Sequence, residues 1–364
     1  MKFCVLIFDT SYSKYKEYEN GEFVLRNCGS GGFLSKYNYP FIDDERLHLG
    51  VEVIRNNPKY SKYQQYIDWE GGPDVGLKGL LYNLRELGHE IVTTNKIESG
   101  FDYYIPWYIT TKILSTALTK FVENKDIINN KIVFSPQNIP NIDTIRTIFK
   151  KNNIKFRLWV HSIYTADFYL AYPIHKLFYT QYPLDVVNSN RNSILVYTKT
   201  NGLNRRLQHT LVQREREITN FFNKHNYDVL NLSYFGKGYR RDELFERANQ
   251  SKICIYLSFY DCGALAIGEI TFMGCYMIGF INKHTTQRVN HSVSPCTILE
   301  GETGEYIDDF ARICDRDGSV HLINGCKKVL DILNRGLDHI KIAKSARNYL
   351  TEERFLETVF KNNS

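Results

Sequence analysis

The stretch from Tyr239 to Phe280 constrains the fold of this chain more than any other part of its sequence. In order, it predicts a charged helix at 241–249, a buried apolar strand at 253–257, a short polar loop, a helix of small residues at 263–273 and a second strand at 276–281. Strands that alternate with helices are typical of a parallel sheet, whose ligands bind beyond the carboxyl ends of the strands. Functional residues are therefore expected in the polar loop and at the start of the helix that follows it.

Two acidic residues lie on either side of this helix start. Asp261 is in the loop, and Glu269 is in the helix. Eight residues of helix span about 12 Å, so one extended ligand could contact both carboxylates. Gly263 and Ala264 give the helix start little side-chain cover, so its N–H groups and positive dipole end favour a bound phosphate. The alternative is that Asp261 only caps the helix and that Glu269 is a solvated helix residue.

This pattern resembles the nucleotide-sugar site of the retaining GT-B glycosyltransferases of the family 4 type, which carry two acidic residues separated by seven others. Asp261 stands where that family normally has glutamate, and Glu269 matches. The resemblance implies an α/β fold of two Rossmann-like domains facing across a cleft, with a C-terminal helix that returns to the first domain. It also implies that Glu269 binds the donor ribose and that Asp261 binds the donor sugar.

Length and composition agree with two domains. A chain of 364 residues with 43% hydrophobic residues can bury two cores. Its net charge of +6 is too small by itself to indicate nucleic acid, although it would suit a diphosphate. The absence of a signal peptide and of a long apolar run predicts a cytoplasmic protein without a transmembrane segment. The abundance of Tyr, Asn, Lys and Ile indicates an A/T-rich genome, such as that of a large virus, whose protein would act in the host cytoplasm.

The first domain is predicted over residues 1–188. Residues 71–95 combine a glycine turn, an amphipathic helix and a strand, which resembles the opening of many GT-B amino-terminal domains. The backbone of Gly72 could contact a ligand, or the two glycines could only permit a tight turn. The resemblance implies that His161, directly after a predicted strand, lies beside the donor sugar. The tyrosine-rich insertion at 11–70 could receive the acceptor or could be a surface excursion.

The second domain, predicted over 189–345, opens with another apolar strand. The loop that follows carries Lys199 and Arg205, which the resemblance assigns to the donor diphosphate. Residues 346–364 would form the returning helix. Because these cations and the helix N–H groups could neutralise the leaving diphosphate, we expect neither a metal nor another cofactor.

The sequence therefore predicts a glycosyltransferase that moves a sugar from a nucleoside-diphosphate donor, such as a UDP or GDP sugar, to an acceptor hydroxyl with retention of configuration. Asp261 and His161 are the candidate catalytic residues, and a glycan or glycoconjugate is the expected acceptor. Three alternatives stay open. The acceptor could be a modified DNA base, the chain could be a nucleotide-sugar epimerase of the same fold, or it could bind a nucleotide sugar without catalysis.

Overall fold

The structure, a computed structural model, describes residues 1–6, 8, 15–17, 23–25, 84, 87–106, 109, 113–134, 142–160, 168–169, 182–199, 205–233, 241–258, 265–281, 298–308, 310–349, 351, 354 and 356–361. Its contacts divide the chain into two compact units. The first comprises Met1–Val160, Thr165–His175 and Phe355–Ser364, and the second comprises His161–Tyr164 and Lys176–Arg354. The boundary that the sequence predicts at 188 falls inside the second unit.

The first unit is built on a parallel sheet, as the sequence predicts. Its strands are β1 (Lys2–Leu6), β2 (Tyr15–Glu17), β3 (Phe23–Leu25), β4 (Glu90–Thr94), β5 (Tyr103–Pro106), β6 (Ile132–Phe134), β7 (Phe156–Val160) and β8 (Phe168–Tyr169). Six of them form one sheet in the order β4-β1-β5-β6-β7-β8, while β2 and β3 form a separate antiparallel pair. The insertion at 11–70 is described only in that pair.

Three described helices accompany this sheet, and their apolar faces form its core. They are α1 (Leu114–Glu123), α2 (Lys125–Ile128) and α3 (Ile142–Lys151). In α3 the buried residues Ile142, Ile145 and Phe149 recur at helical spacing and form one apolar face. Phe149 packs edge-to-face on Phe121 of α1 and on Phe134 of β6. The helix and strand predicted there are confirmed.

The C-terminal segment belongs to the first unit. Glu357–Lys361 forms a π-helical turn, in which the ring of Phe360 lies 5.0 Å from that of Phe3 and 4.8 Å from that of Tyr103. The Tyr103 hydroxyl also donates to the Phe360 carbonyl oxygen, at 2.5 Å. The predicted return to the first domain is therefore confirmed, and the described residues of this segment, Arg354, Leu356 and Glu357–Lys361, are helical.

The second unit contains a parallel sheet of five strands. They are β9 (Ser193–Lys199), β10 (Asp228–Ser233), β11 (Ser251–Ser258), β12 (Tyr276–Ile281) and β13 (Gly304–Asp308). Their order in the sheet is β10-β9-β11-β12-β13, so the chain begins at an inner strand and turns back over it. This arrangement is a doubly wound sheet, and it confirms the predicted Rossmann-like plan.

Six helices of the described chain surround this second sheet. They are α4 (Arg205–Asn223), α5 (Arg241–Gln250), α6 (Leu265–Phe272), α7 (Phe310–Cys314), α8 (Gly318–Asn334) and α9 (His339–Tyr349), with a short 3-10 turn at Leu184–Val186. Leu211, Ile218 and Phe222 of α4 pack on Ile253 and Ile255 of β11 in one buried cluster. The core of this unit therefore joins α4 to the sheet.

Two predicted boundaries in the second unit are wrong. The sequence predicts that the strand beginning at 193 ends at 197, but β9 continues to Lys199, because Thr198 still pairs with Ser233 and Leu257 on its two sides. The helix predicted from Arg214 begins at Arg205. Lys199 therefore lies at a strand end and Arg205 at a helix start, rather than together in one loop.

Candidate functional site

The candidate site lies at the carboxyl edge of the second sheet, where β9 and β11 are neighbours. Strand β9 is followed by α4, which leads outward to β10, and α5 leads back across β9 to β11. Because such crossovers are right-handed, the two helices cover opposite faces of the sheet. The loops at the carboxyl ends of β9 and β11 therefore part and leave a crevice, the usual ligand site of an open α/β sheet.

Alternation along the strands assigns residues to the two faces. Ile253, Ile255 and Leu257 of β11 pack with residues of α4 and α8. Since successive side chains of a strand point to opposite faces, Tyr256 and Ser258 lie on the other face. On that side α5 contacts β9 and β11, and α6 contacts β12.

Lys199 is placed at this crevice by the register of the sheet. It is the last residue of β9 and is paired with Ser258, the last residue of β11. Lys199 is half-buried, whereas Ser258 is fully buried. By the alternation of β9, Lys199 lies on the same face as Tyr197, which α5 and α6 cover. The structure thus brings a predicted phosphate-binding cation to the crevice between the carboxyl ends of β9 and β11.

Glu269 is buried, which contradicts the alternative that it is a solvated helix residue. Its side chain is 4% exposed, on a helix of sequence LAIGEITF whose other described side chains are also buried. The helix α6 begins at Leu265, four residues before Glu269, so the carboxylate lies about 6 Å along the axis from the helix start. The sequence predicted two turns between them, and the structure gives just over one.

The remaining predicted site residues lie outside the described part of the chain. They are Asp261, Gly263, Ala264, His161 and Gly72. Arg205 is described only as the first residue of α4. The structure therefore brings Glu269 and Lys199 to the helix and strand that border one crevice, and the roles of all the predicted site residues stay predictions.

A buried hydrogen bond joins the end of β9 to α4, and sequence reasoning missed it. The Thr198 hydroxyl donates to a carboxylate oxygen of Glu215. Burial raises the pKa of Glu215, and this hydrogen bond opposes the rise by stabilising the charged form. Thr198 lies on the α4 face, opposite Lys199, so this pair holds the strand end that carries the lysine. The helix predicted from Arg214 already contains Glu215, but no local pattern marks its contact with Thr198, 17 positions away in the chain.

A second group that the sequence did not reveal caps the C-terminal end of α6. The chain leaves the helix through Gly274, whose φ of +76° is readily adopted only by glycine. Beyond the last turn, the guanidinium of Arg191 donates to the Met273 carbonyl at 2.6 Å, and Nδ1 of His339 donates to the Gly274 carbonyl at 2.9 Å. Arg347 lies over the ring of Phe272, at 4.0 Å from its centroid. This end of α6 is thus fixed by three cationic or imidazole side chains.

Two tyrosines stack beneath the helices on the Lys199 face. The rings of Tyr197 and Tyr256 are 5.4 Å apart and nearly parallel, at 13°. The hydroxyl of Tyr256 is buried and has no hydrogen-bond partner among the described residues. Its place two residues before the end of β11 puts it about 7 Å inside the sheet from Ser258.

Within the described residues, no cluster of three or more His, Cys, Asp or Glu side chains has the arrangement of a metal site. Every helix described is too short or too polar to span a lipid bilayer.

Comparison with known proteins gives only distant similarities. The DNA-modifying enzyme beta-glucosyltransferase is 11% identical, with 99% of each chain covered and a TM-score of 0.43. Sucrose-phosphate synthase from Thermosynechococcus elongatus is 14% identical over 97% of this chain and 85% of that one, with a TM-score of 0.37. WaaG, a glycosyltransferase involved in lipopolysaccharide biosynthesis, is 11% identical over 84% of each chain, with a TM-score of 0.31. No family model and no curated protein matches the sequence. These identities and TM-scores are too low to assign a function to this chain.

Proposed function

We propose that this chain is a glycosyltransferase that binds a nucleoside-diphosphate sugar at the carboxyl edge of its second sheet. The observation that carries the proposal is the burial of Glu269, at 4% exposure, on an otherwise apolar helix that follows β11. Removing a carboxylate from water is costly, and apolar residues of similar volume are usually at least as stable in such a position. Stability alone would therefore favour an apolar residue at 269, and a role in binding a ligand accounts for the glutamate.

The donor diphosphate is proposed to bind between the end of β9 and the start of α6. Lys199 supplies a point charge there, and the first N–H groups of α6 add the positive end of the helix dipole. Arg205 would add a forked contact from the start of α4. Charge develops on the diphosphate as it leaves, so fixed positive groups at this position stabilise the transition state more than the ground state.

The carboxylates are proposed to hold the two other parts of the donor. Glu269 accepts hydrogen bonds from the ribose hydroxyls, and Asp261 accepts them from hydroxyls of the sugar. His161 is proposed to contact the sugar, and Gly72 is proposed to contact the ligand through its backbone. The pair of acids separated by seven other residues motivates this assignment, together with the resemblance to the family 4 type.

The proposed reaction retains the configuration of the sugar. The acceptor hydroxyl attacks the anomeric carbon on the face from which the diphosphate departs. A new carbon–oxygen bond to the acceptor forms, the bond to the phosphate oxygen breaks, and the hydroxyl proton passes to the departing phosphate oxygen. This route uses neither a protein base nor a metal, because Lys199, Arg205 and the helix amides stabilise the leaving group. The proposed acceptor is a glycan or glycoconjugate.

A donor screen with a matched pair of variants tests this proposal. UDP and GDP sugars are added to the protein, and binding and sugar transfer are measured. Glu269→Gln keeps the volume of the side chain but removes its charge, so it should weaken donor binding by about 10- to 100-fold, as expected for a charged hydrogen-bond acceptor. Glu246→Gln changes an exposed residue of α5 and should leave binding unchanged. A wild-type protein that binds no nucleotide sugar would contradict the proposal.

The same screen separates the three alternatives. Transfer to a hydroxylated base in DNA, but not to glycan acceptors, would identify a glycosyltransferase that acts on a modified DNA base. Release of free nucleotide with an epimerised sugar would identify an epimerase. Tight donor binding without turnover on any acceptor would identify a binding protein.

A further inference from the structure

Arg191 is a buried cation at the end of the second unit that lies opposite the proposed site. It precedes β9 at the amino edge of the sheet and is 4% exposed. Its guanidinium donates five hydrogen bonds. Nε donates to the Asn188 carbonyl (2.5 Å), Nη1 to the carbonyls of Ala248 (2.9 Å) and Ser251 (3.0 Å), and Nη2 to the Met273 carbonyl (2.6 Å) and to Oδ1 of Asn249 (3.3 Å).

Every one of these acceptors is a neutral oxygen, and two of them belong to helix ends. Ala248 is in the last turn of α5, and Met273 directly follows the last residue of α6. The C-terminal end of each helix carries about half of a negative charge. Together the two helix ends supply about one negative charge, which balances the positive charge of the buried guanidinium. Burial lowers the pKa of Arg191, but an arginine in a protein remains protonated.

The other ends of the same two helices lie at the proposed donor site. Since α5 precedes the parallel strand β11 and α6 follows it, both helices begin at the carboxyl edge of the sheet. Their lengths of 10 and 8 residues place Arg191 about 12 to 15 Å from those helix starts. The arginine cancels the negative helix ends and leaves the positive ends unopposed.

We propose that Arg191 is a positioning residue for the phosphate end of the donor site. It fixes the two helices whose first N–H groups face the diphosphate, and it raises the positive potential there through its own charge. The inference rests on the proposed function, because it concerns the same site. Its ligand is the shared diphosphate group of a nucleoside diphosphate or of pyrophosphate.

The test adds a negative charge beside Arg191 without removing the arginine. Asn249→Asp puts a carboxylate where Oδ1 of Asn249 already accepts from Nη2 and keeps the arginine itself, while it gives up the hydrogen bond from Nδ2 of Asn249 to the Val186 carbonyl. The neutralised guanidinium should weaken the binding of UDP and of pyrophosphate by about six- to tenfold, as Coulomb's law gives for one unit charge at about 12 to 15 Å with an effective dielectric of about 20. Uridine, which lacks the diphosphate, should bind within about twofold of wild type. Asn334→Asp adds the same charge at the exposed end of α8 and should leave all three affinities unchanged.

Two variants of the arginine complete the experiment. Arg191→Lys keeps the charge but not the fork, and Arg191→Gln loses both; thermal melting shows the temperature range in which each is folded. Within that range, Arg191→Lys should retain UDP affinity within about twofold, and Arg191→Gln should lose about six- to tenfold. Equal loss of UDP and uridine binding, or unchanged UDP binding in Asn249→Asp, would overturn the inference while leaving the proposed function intact. Pyrophosphate binding that depends on Arg191, without binding of any nucleotide sugar, would support the inference and overturn the proposed function. A wild-type protein that binds neither would overturn both.

Discussion

Lys199 and Ser258 lie side by side at the carboxyl ends of β9 and β11, paired in register at the switch point of the second sheet. The lysine is half-buried and the serine fully buried, so the lysine ammonium is the more accessible of the two polar groups. A diphosphate that enters the crevice from the carboxyl edge would therefore meet Lys199 before the strand residues beneath it.

Removal of the Lys199 charge should weaken diphosphate binding. Lys199→Met keeps most of the length of the side chain and abolishes the ammonium, so one charge-assisted hydrogen bond to phosphate is lost. We expect UDP to bind about 10-fold more weakly. Titration calorimetry at low ionic strength measures the effect. Lys224→Met removes a lysine just beyond the end of α4 and serves as control; equal affinities of the two variants would argue against a phosphate contact at Lys199.

The fold was largely predictable because the apolar strands are contiguous in sequence. The strands β4, β7 and β12 begin and end where the sequence predicts. By contrast, β13 was not predicted, because its sequence GEYID is polar and it pairs only with β12, at the sheet edge. The start of α4 was also missed, because its first turns are rich in polar residues and only Leu207 and Leu211 mark the buried face.

The candidate site was predictable only in part, because several of its contacts join residues that are far apart in the sequence. Glu269 and Lys199 are marked by local patterns, an acid in a small-residue helix and a cation after an apolar strand. Arg191 has no such mark, because its acceptors Ala248 and Met273 are 57 and 82 positions away in the chain. The burial of Glu269 was equally hidden, since it depends on the packing of α5 and α9 against α6.

Loss of the Tyr256 hydroxyl should not destabilise the protein. The hydroxyl is buried without a hydrogen-bond partner among the described residues, so Tyr256→Phe removes an unsatisfied polar group and keeps the ring that stacks on Tyr197. We expect the free energy of unfolding to stay unchanged or to rise by about 1 kcal/mol. Tyr104→Phe is the matched control, because that buried hydroxyl donates to the Glu98 carbonyl at 2.5 Å. It should cost about 1 kcal/mol in urea unfolding, and a similar loss for Tyr256→Phe would indicate that Tyr256 has a partner.

His339 should make stability depend on pH. Burial first, and then the nearby Arg191, lower the pKa of this histidine from 6.5 to about 4; Lys252 acts in the same direction, whereas the Gly274 carbonyl and Asp338 oppose it. Above pH 6.5 the imidazole is neutral in both the folded and unfolded states. Between pH 6.5 and about 4 only the unfolded state takes up the proton, so stability falls as the pH falls, by about 3 kcal/mol in all.

The variant His339→Gln isolates the contribution of this imidazole to the pH dependence of stability. Other groups titrate in the same range, so the quantity to measure is the difference in unfolding free energy between wild type and variant at pH 7 and pH 4.5. That difference should shrink as the pH falls, since the variant lacks the imidazole. His209→Gln alters an exposed histidine of α4 and should show no such change. A constant difference for His339→Gln would mean that the folded-state pKa is not depressed.

Substitution of Gly274, at the C-terminal end of α6, should destabilise the protein more than the same substitution at Gly336. Its φ of +76° already disfavours any other residue, and a Cβ there would lie 2.3 Å from the His339 carbonyl oxygen and 3.1 Å from Nη2 of Arg191. Gly336 has nearly the same φ, +78°, but a Cβ there would meet nothing within 4 Å. Gly336→Ala should therefore cost only the backbone strain, about 1 kcal/mol.

Gly274→Ala should cost about 3 kcal/mol or more, because the backbone of α9 must move away from α6 in addition to the same strain. Urea unfolding of the two alanine variants gives the difference directly. If the cap of α6 also supports the donor site through Arg191, then folded Gly274→Ala protein should bind UDP more weakly, whereas Gly336→Ala should bind it as wild type does. Equal losses of unfolding free energy in the two variants would show that α9 does not pack on Gly274. That result would also contradict the proposed link between this cap and the donor site.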